Sequence, residues 1–215
     1  MQLTRKIRGE AGFTLVELLV AIVILGVIAV PLSDVAISAL KHTVTTSDRM
    51  ALSHDAQISS SYFSRDVAQV GLRNWDSIVG QSVPFEVSVQ RNAAYDAGGK
   101  TCGSSSTPTA VLRLLSDAWD PAQSMTKPTT DIVAYYLEPV GAVSELRRIK
   151  CIGPDQLPQP YVVLAHNVKP GSLTVSCSTA CESATVPDEI KMQFLATMPS
   201  VGDYQITLNG QRRQS

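Results

Sequence analysis

The chain has 215 residues, 44% of them apolar and 17% charged, which is too apolar for a disordered segment and enough for one domain plus an appendage. Eighteen basic against nineteen acidic residues give a net charge of −1, so there is no global electrostatic case for nucleic acid. Glycine (13) and proline (12) follow no fixed period, which excludes a collagen-like rod, and aromatics are only 6%, so the core must be mainly aliphatic.

The N-terminus is asymmetric. Residues 1–12 carry Arg5, Lys6 and Arg8 against Glu10, whereas residues 13–32 hold a single charge, Glu17, in twenty positions. As a helix that second stretch measures about 30 Å, the thickness of a bilayer's hydrocarbon core. The preceding cations belong on the cytoplasmic side, which places the bulk of the chain outside. A secretory signal would be processed after its apolar core. Here the small pair Ala11-Gly12 comes before the core, and no A-x-A follows it. A plain membrane anchor fits the length but gives Glu17 no task, although a carboxylate there costs roughly 2–3 kcal/mol. Cleavage after Gly12 would give it one: the new amino group of Phe13 would stand four residues before Glu17, and each would offset the desolvation of the other.

The run GFTLVELLVAIVILGVIA strongly resembles the leader junction and first helix of type IV prepilins and pseudopilins. The resemblance implies a leader, residues 1–12, removed by a prepilin peptidase that cuts between Gly12 and Phe13. It also implies N-methylation of Phe13 and a role for Glu17 in assembly, through contact with the terminal amine of a neighbouring subunit. The implied partners are the peptidase, other prepilins or pilins, the inner-membrane assembly platform and, before assembly, membrane lipid. The implied location is a single-pass inner-membrane protein with a cytoplasmic N-terminus, later a pilus or pseudopilus.

Helical spacing continues past the apolar stretch. Ile37, Leu40, Val44, Ala51, Ile58 and Tyr62 share one face, widened by Phe63, Val67 and Val70, with no glycine or proline between residues 32 and 70. One helix over 13–70 is expected: a transmembrane or filament-core part, 13–32, and an amphipathic continuation, 33–72. Pro31 should remove one backbone hydrogen bond and bend it.

From residue 73 an exported β-rich domain is expected, with period-two strands at Phe85–Gln90, Ala110–Leu115, Asp131–Leu137, Glu145–Cys151, Tyr161–Ala165, Ser172–Cys177, Glu189–Ala196 and Asp203–Leu208. Turn residues separate them, among them Asp120-Pro121, Gly141, Gly153-Pro154 and Pro170-Gly171. Short strands without intervening helices argue an antiparallel sheet covered on one face by the helix, an α+β, pilin-like fold. The stretch Tyr62–Leu72, with Arg65-Asp66, resembles the L-x-R-D-L-R-x-A-G segment of W-type minor pilins and J-type minor pseudopilins. Asp131–Leu137 followed by Glu145-Leu146-Arg147-Arg148 resembles their V-x-Y-x-L…L-x-R hairpin. Leu146 is expected to point inward and Arg147 to pair with a neighbour. Residues 96–108 and the CSTAC element have no counterpart in that pattern.

Four cysteines, Cys102, Cys151, Cys177 and Cys181, all lie in the exported part and read as two disulfides. Three connectivities are open; the preferred one closes Cys177 on Cys181 and staples Cys102 to Cys151. C-x₃-C without a nearby histidine is poor zinc spacing, so no metal is expected. His42, His54 and His166 form no H-E-x-x-H, and no G-x-S-x-G occurs. Gly99-Lys100-Thr101 lacks the first glycine of a phosphate loop, and Asp117 with Asp120 lacks a calcium ligand series. No catalytic residue and no cofactor is expected. Arg147-Arg148-Lys150 and Arg212-Arg213 are two basic clusters, read as solvated surface rather than a nucleic-acid site. The resulting reading is a minor pilin or pseudopilin subunit of a type IV pilus or a type II secretion-like pseudopilus, not an enzyme. The alternative is a signal-anchored exported binding or adhesin domain that does not polymerise.

Overall fold

The computed structural model describes residues 12, 14–77, 82–119, 127–153 and 157–213. Phe13, residues 1–11 and the turns at Asp120-Pro121 and Pro154 lie outside them. The chain divides into two compact units, one ending at Thr46 and one starting at Ser47. A single helix, α1 (Leu15–Ala68), contributes to both.

In the first unit every large apolar side chain from Leu15 to Val44 is exposed. A helix that apolar and that uncovered is long enough to cross a bilayer. The helix is unbroken at Pro31, which has no N–H to offer the Val27 carbonyl four residues back.

In the second unit α1 buries Leu52, Asp55, Ser59, Phe63, Asp66 and Val67. The expected stripe is therefore displaced by one residue. Leu52, Ser59 and Phe63 face inward, Ala51 is exposed, and Ile58 and Tyr62 are half-buried. Ile37, Leu40 and Val44 are exposed in the first unit. The cause is that three polar side chains on the inward face find partners in the sheet, so that face did not read as apolar.

Among the described residues the sheet has nine antiparallel strands: β1 (Val89–Ala93), β2 (Ala110–Ala118), β3 (Thr129–Val140), β4 (Val143–Ile152), β5 (Leu157–Pro158), β6 (Val162–Val168), β7 (Thr174–Cys177), β8 (Glu189–Met198) and β9 (Gly202–Gln211). Their order is β1-β2-β3-β4-β6-β8-β7, with β5 on β4 and β9 on β8. The expected α+β architecture is present: one long N-terminal helix whose later turns pack on a curled antiparallel sheet. Two strand expectations need correction. Phe85 makes only an isolated bridge with Arg73, and the Glu86 N–H donates to the Leu72 carbonyl, so the first strand starts at Val89 instead. The two-residue β5 went unforeseen because it has no room for alternation. The β3–β4 hairpin turns through two residues between Val140 and Val143, with Gly141 at φ 64° supplying the positive φ.

Alternation along β2–β4 builds two cores. Leu112, Leu114, Val133, Tyr135 and Leu146 face α1, joining Phe63, Val67, Met192, Phe194 and Leu208. Leu115, Ile132, Ala134, Tyr136 and Ile149 form the second core with Leu72, Cys102 and Cys151. The connection from β1 to β2 supplies Cys102, which is joined to Cys151, while Cys177 is joined to Cys181. Arg113, fully buried on β2, holds that connection by donating to the carbonyls of Ala94, Ala97 and Lys100 and to Gln90 Oε1. At the sheet's outer strand the Arg91 N–H of β1 donates to Glu182 Oε1, 2.9 Å away on the connection from β7 to β8.

Candidate functional site

The N-terminal junction has a simple geometry. Thr14 Oγ1 accepts the Glu17 N–H at 3.3 Å, and the Thr14 carbonyl accepts the Leu18 N–H at 3.1 Å. Thr14 thus caps α1, and Glu17 sits in the first turn, where the positive end of the helix dipole favours a carboxylate. The T-x-x-E spacing that signals this cap is present in the sequence and had gone unread. Glu17 is exposed and has no cationic partner among the described residues. A Cβ added at Gly12 would meet nothing within 4 Å, and the residue is not in the left-handed region. The fold therefore makes no demand for glycine at position 12; any demand comes from outside the chain. Phe13, the expected new terminus, lies outside the described residues.

The second cluster fixes the later turns of α1. Asp66 accepts from Arg148 through Nε at 2.6 Å and Nη2 at 2.8 Å, and from the Tyr135 hydroxyl at 2.5 Å. The Asp66 and Arg148 side chains are 4% and 7% exposed, so the paired fork is sealed from water, where its geometry counts most. Burial, first, and then the charge and hydrogen bond of Asp66 push the Tyr135 hydroxyl well above its ordinary pKa, against the opposing pull of Arg148. Burial works against the Arg148 charge, but hydrogen bonding and attraction to Asp66 outweigh it and raise its pKa. Phe63 packs edge-on to Tyr135 at 5.7 Å. The aspartate of Arg65-Asp66, the first tyrosine of the β3 segment and the second arginine of β4 all came from the stretches resembling minor pilins. The structure brings these three together. Arg147 pairs with neighbours on its own hairpin: it bonds Glu145 at 2.8 Å and lies 3.5 Å from Glu138.

Two further anchors follow along α1. Ser59 Oγ donates to the Leu164 carbonyl at 2.9 Å. Between Ala165 and Val168 strand β6 holds one residue more than its partner β4, with Asn167 at φ 55°. That bulge turns the His166 N–H away from the ladder, and Asp55 Oδ2 accepts it at 2.8 Å. No signal at single-residue level announced the bulge beyond the tolerance of asparagine for positive φ.

Groups of three or more potential metal ligands are absent among the described residues. Asp117 is taken by Arg73, through the backbone N–H at 3.1 Å and Nη1 at 3.3 Å, and Asp120 lies outside the described residues. Gly99 belongs to a short 3₁₀ turn, Ala97–Gly99, held by Arg113, so no phosphate loop forms there.

The prokaryotic N-terminal methylation motif matches residues 7–33. The chain carries a prepilin-type N-terminus. The match takes in Gly12, Phe13 and Glu17 and ends with the apolar stretch, so the rest of the chain is read from its own structure. The exposed apolar helix and the motif together fit a membrane-anchored pilin. Neither the curated proteins nor the solved structures yield a match to it.

Proposed function

We propose that the chain is a minor pilin or pseudopilin subunit that works by assembly. After cleavage between Gly12 and Phe13 and N-methylation of Phe13, α1 passes from the membrane into a filament, with the β-rich body outside. The observation that carries this reading is the coincidence of the methylation motif at residues 7–33 with a stretch of α1 whose large apolar side chains, from Leu15 to Val44, are all exposed. Such a surface needs lipid or other helices as its cover. The glycine at position 12, which the fold does not require, supports recognition by a peptidase. The buried Asp66–Arg148–Tyr135 cluster supports kinship with W-type minor pilins or J-type minor pseudopilins, since it unites the residues of both resembling segments.

The test is Glu17→Gln in the full chain. Membrane insertion should ease, because a costly carboxylate leaves the bilayer, and the body should keep its stability. Recovery with partner prepilins, measured at matched membrane abundance, should fall. Unchanged co-purification would favour the second reading, a signal-anchored binding domain that never polymerises. One observation speaks for that second reading: Thr14 and the helix dipole give Glu17 a local role at the start of α1.

A further inference from the structure

The two basic clusters of the body have different fates. Arg147 is bound to Glu145, Arg148 to Asp66, and Lys150 lies 3.0 Å from Asp131, so the β4 cluster is neutralised within the chain. Arg212 and Arg213 are joined by Arg65 in a cleft of about 610 Å³ between the last turn of α1 and the end of β9. Ser64, Asn209 and Gln211 contribute polar side chains, and no acidic residue among those described lines it. Asp188 pairs with Arg212 at 2.9 Å from outside, its own side chain 84% exposed. Arg65 and Arg213 have no acidic partner among the described residues.

The simplest alternative is that these cations only complement the negative end of α1. The Arg213 N–H does donate to the Ala68 carbonyl at 3.2 Å. A helix C-terminus carries roughly half a unit of negative charge, and Asp188 adds one more. Among the described residues, three guanidinium groups therefore leave an excess of about one and a half positive charges in the cleft. Donors are also left unmet: Arg212 Nε and Nη1 are buried without a hydrogen-bond partner among the described residues. The Arg212 side chain is held in place by Asp188 and by the Phe85 ring, 5.4 Å from Cζ. Arg65 is likewise stacked over Tyr62 at 4.9 Å. Two of the three forks are thus ordered before any ligand arrives.

We propose that this cleft binds an acidic peptide segment of another protein. Planar guanidinium groups match carboxylates two bonds at a time, and the serine and amide side chains suit the carbonyls and N–H groups of a peptide backbone. Concave volume of this size is ordinary for a specific ligand. A nucleic acid is a poorer fit. From Ser47 onward the chain has fourteen basic and sixteen acidic residues, so there is no overall excess of positive charge for a long polyanion to follow beyond the cleft. A short acidic segment confines its charge within a Debye length of about 8 Å. The site lies wholly in the second unit, and the proposal stands whether or not the chain polymerises.

The experiment uses the full chain in neutral detergent micelles and fluorescein-labelled hexaglutamate, with fluorescence anisotropy as the readout. Hexaglutamate should bind and be displaced by salt. Arg65→Gln/Arg213→Gln should weaken binding at least tenfold with an unchanged thermal melt, both residues being exposed. Arg65→Lys/Arg213→Lys should restore part of the loss, and Lys191→Gln, a cation elsewhere on β8, should have no effect. Absence of hexaglutamate binding, or binding undiminished in the double glutamine variant, overturns the proposal. So does a thymidylate hexamer that binds through the same arginines tenfold more tightly than hexaglutamate.

Discussion

The buried fork between Asp66 and Arg148 sets a quantitative expectation. Replacing Arg148 with Met keeps a long, flexible side chain but leaves the Asp66 carboxylate, 4% exposed, with only the Tyr135 hydroxyl as partner. Breaking a buried pair from one side costs about 3–5 kcal/mol. Asp66→Leu strands Arg148 and should cost about as much. Removing both charges together should cost less than either alone, about 1–3 kcal/mol, because only the Tyr135 hydroxyl is left unmatched. Against a total stability of about 5–15 kcal/mol, each single variant is severe and the double variant mild. The measurement is urea unfolding followed by circular dichroism, on the fragment beginning at residue 40. That fragment keeps the whole core, which starts at Leu52, and sheds most of the exposed apolar helix, so it should be soluble. A loss below about 1 kcal/mol for Arg148→Met, or single-variant losses that simply add in the double variant, would refute the argument that the pair is sealed from water.

Substituting a bulky residue at Gly12 should block processing without unfolding the body, since an added side chain meets nothing there; N-terminal sequencing should find methylated Phe13 only in the unaltered chain. The two disulfides should differ in value: closing the Cys102–Cys151 loop, a separation of 49 residues, is worth about 4 kcal/mol by loop entropy and closing Cys177–Cys181 about 2. Alanine pairs at each site, compared by urea midpoint, check the order, and the intact protein should weigh about four hydrogens less than its thiol form. Tyr135 and Arg148 both have raised pKa values when folded, so their stabilisation is complete below the unfolded tyrosine pKa of about 10 and is lost as pH rises beyond it. Tyr135→Phe should flatten the alkaline unfolding profile, and an unaltered profile would show that the hydroxyl does not titrate with unfolding.

Much of the architecture could be read before any coordinates. Seven of the strands follow from period two in the sequence: β8 and β9 alternate in burial, while in β3 Ile132, Ala134 and Tyr136 face one core and Val133 and Tyr135 the other. Of the three connectivities open to the four cysteines, the preferred one, Cys177 with Cys181 and Cys102 with Cys151, is the one present. What escaped was polar burial. Nothing local marks Asp55, Ser59 and Asp66 as buried, because the partners that make them tolerable lie 69 to 111 residues away. Arg113 escaped for the same reason: its place inside depends on three carbonyls of a loop that has no periodicity of its own. At the N-terminus the lone charge in an apolar run was legible at once, while the cap beneath it was overlooked.

Strand β1 has a bearing on how molecules of this kind can crowd together. It is five residues long, carries Asn92 in the left-handed region and has one edge N–H occupied by Glu182. An approaching strand finds no continuous ladder there to extend, so sideways addition of sheet to sheet is frustrated at that margin. A chain held at high local density in a membrane would otherwise have two competing modes of self-association. Blunting β1 closes one of those routes and leaves the exposed apolar side chains of Leu15 to Val44 as the other.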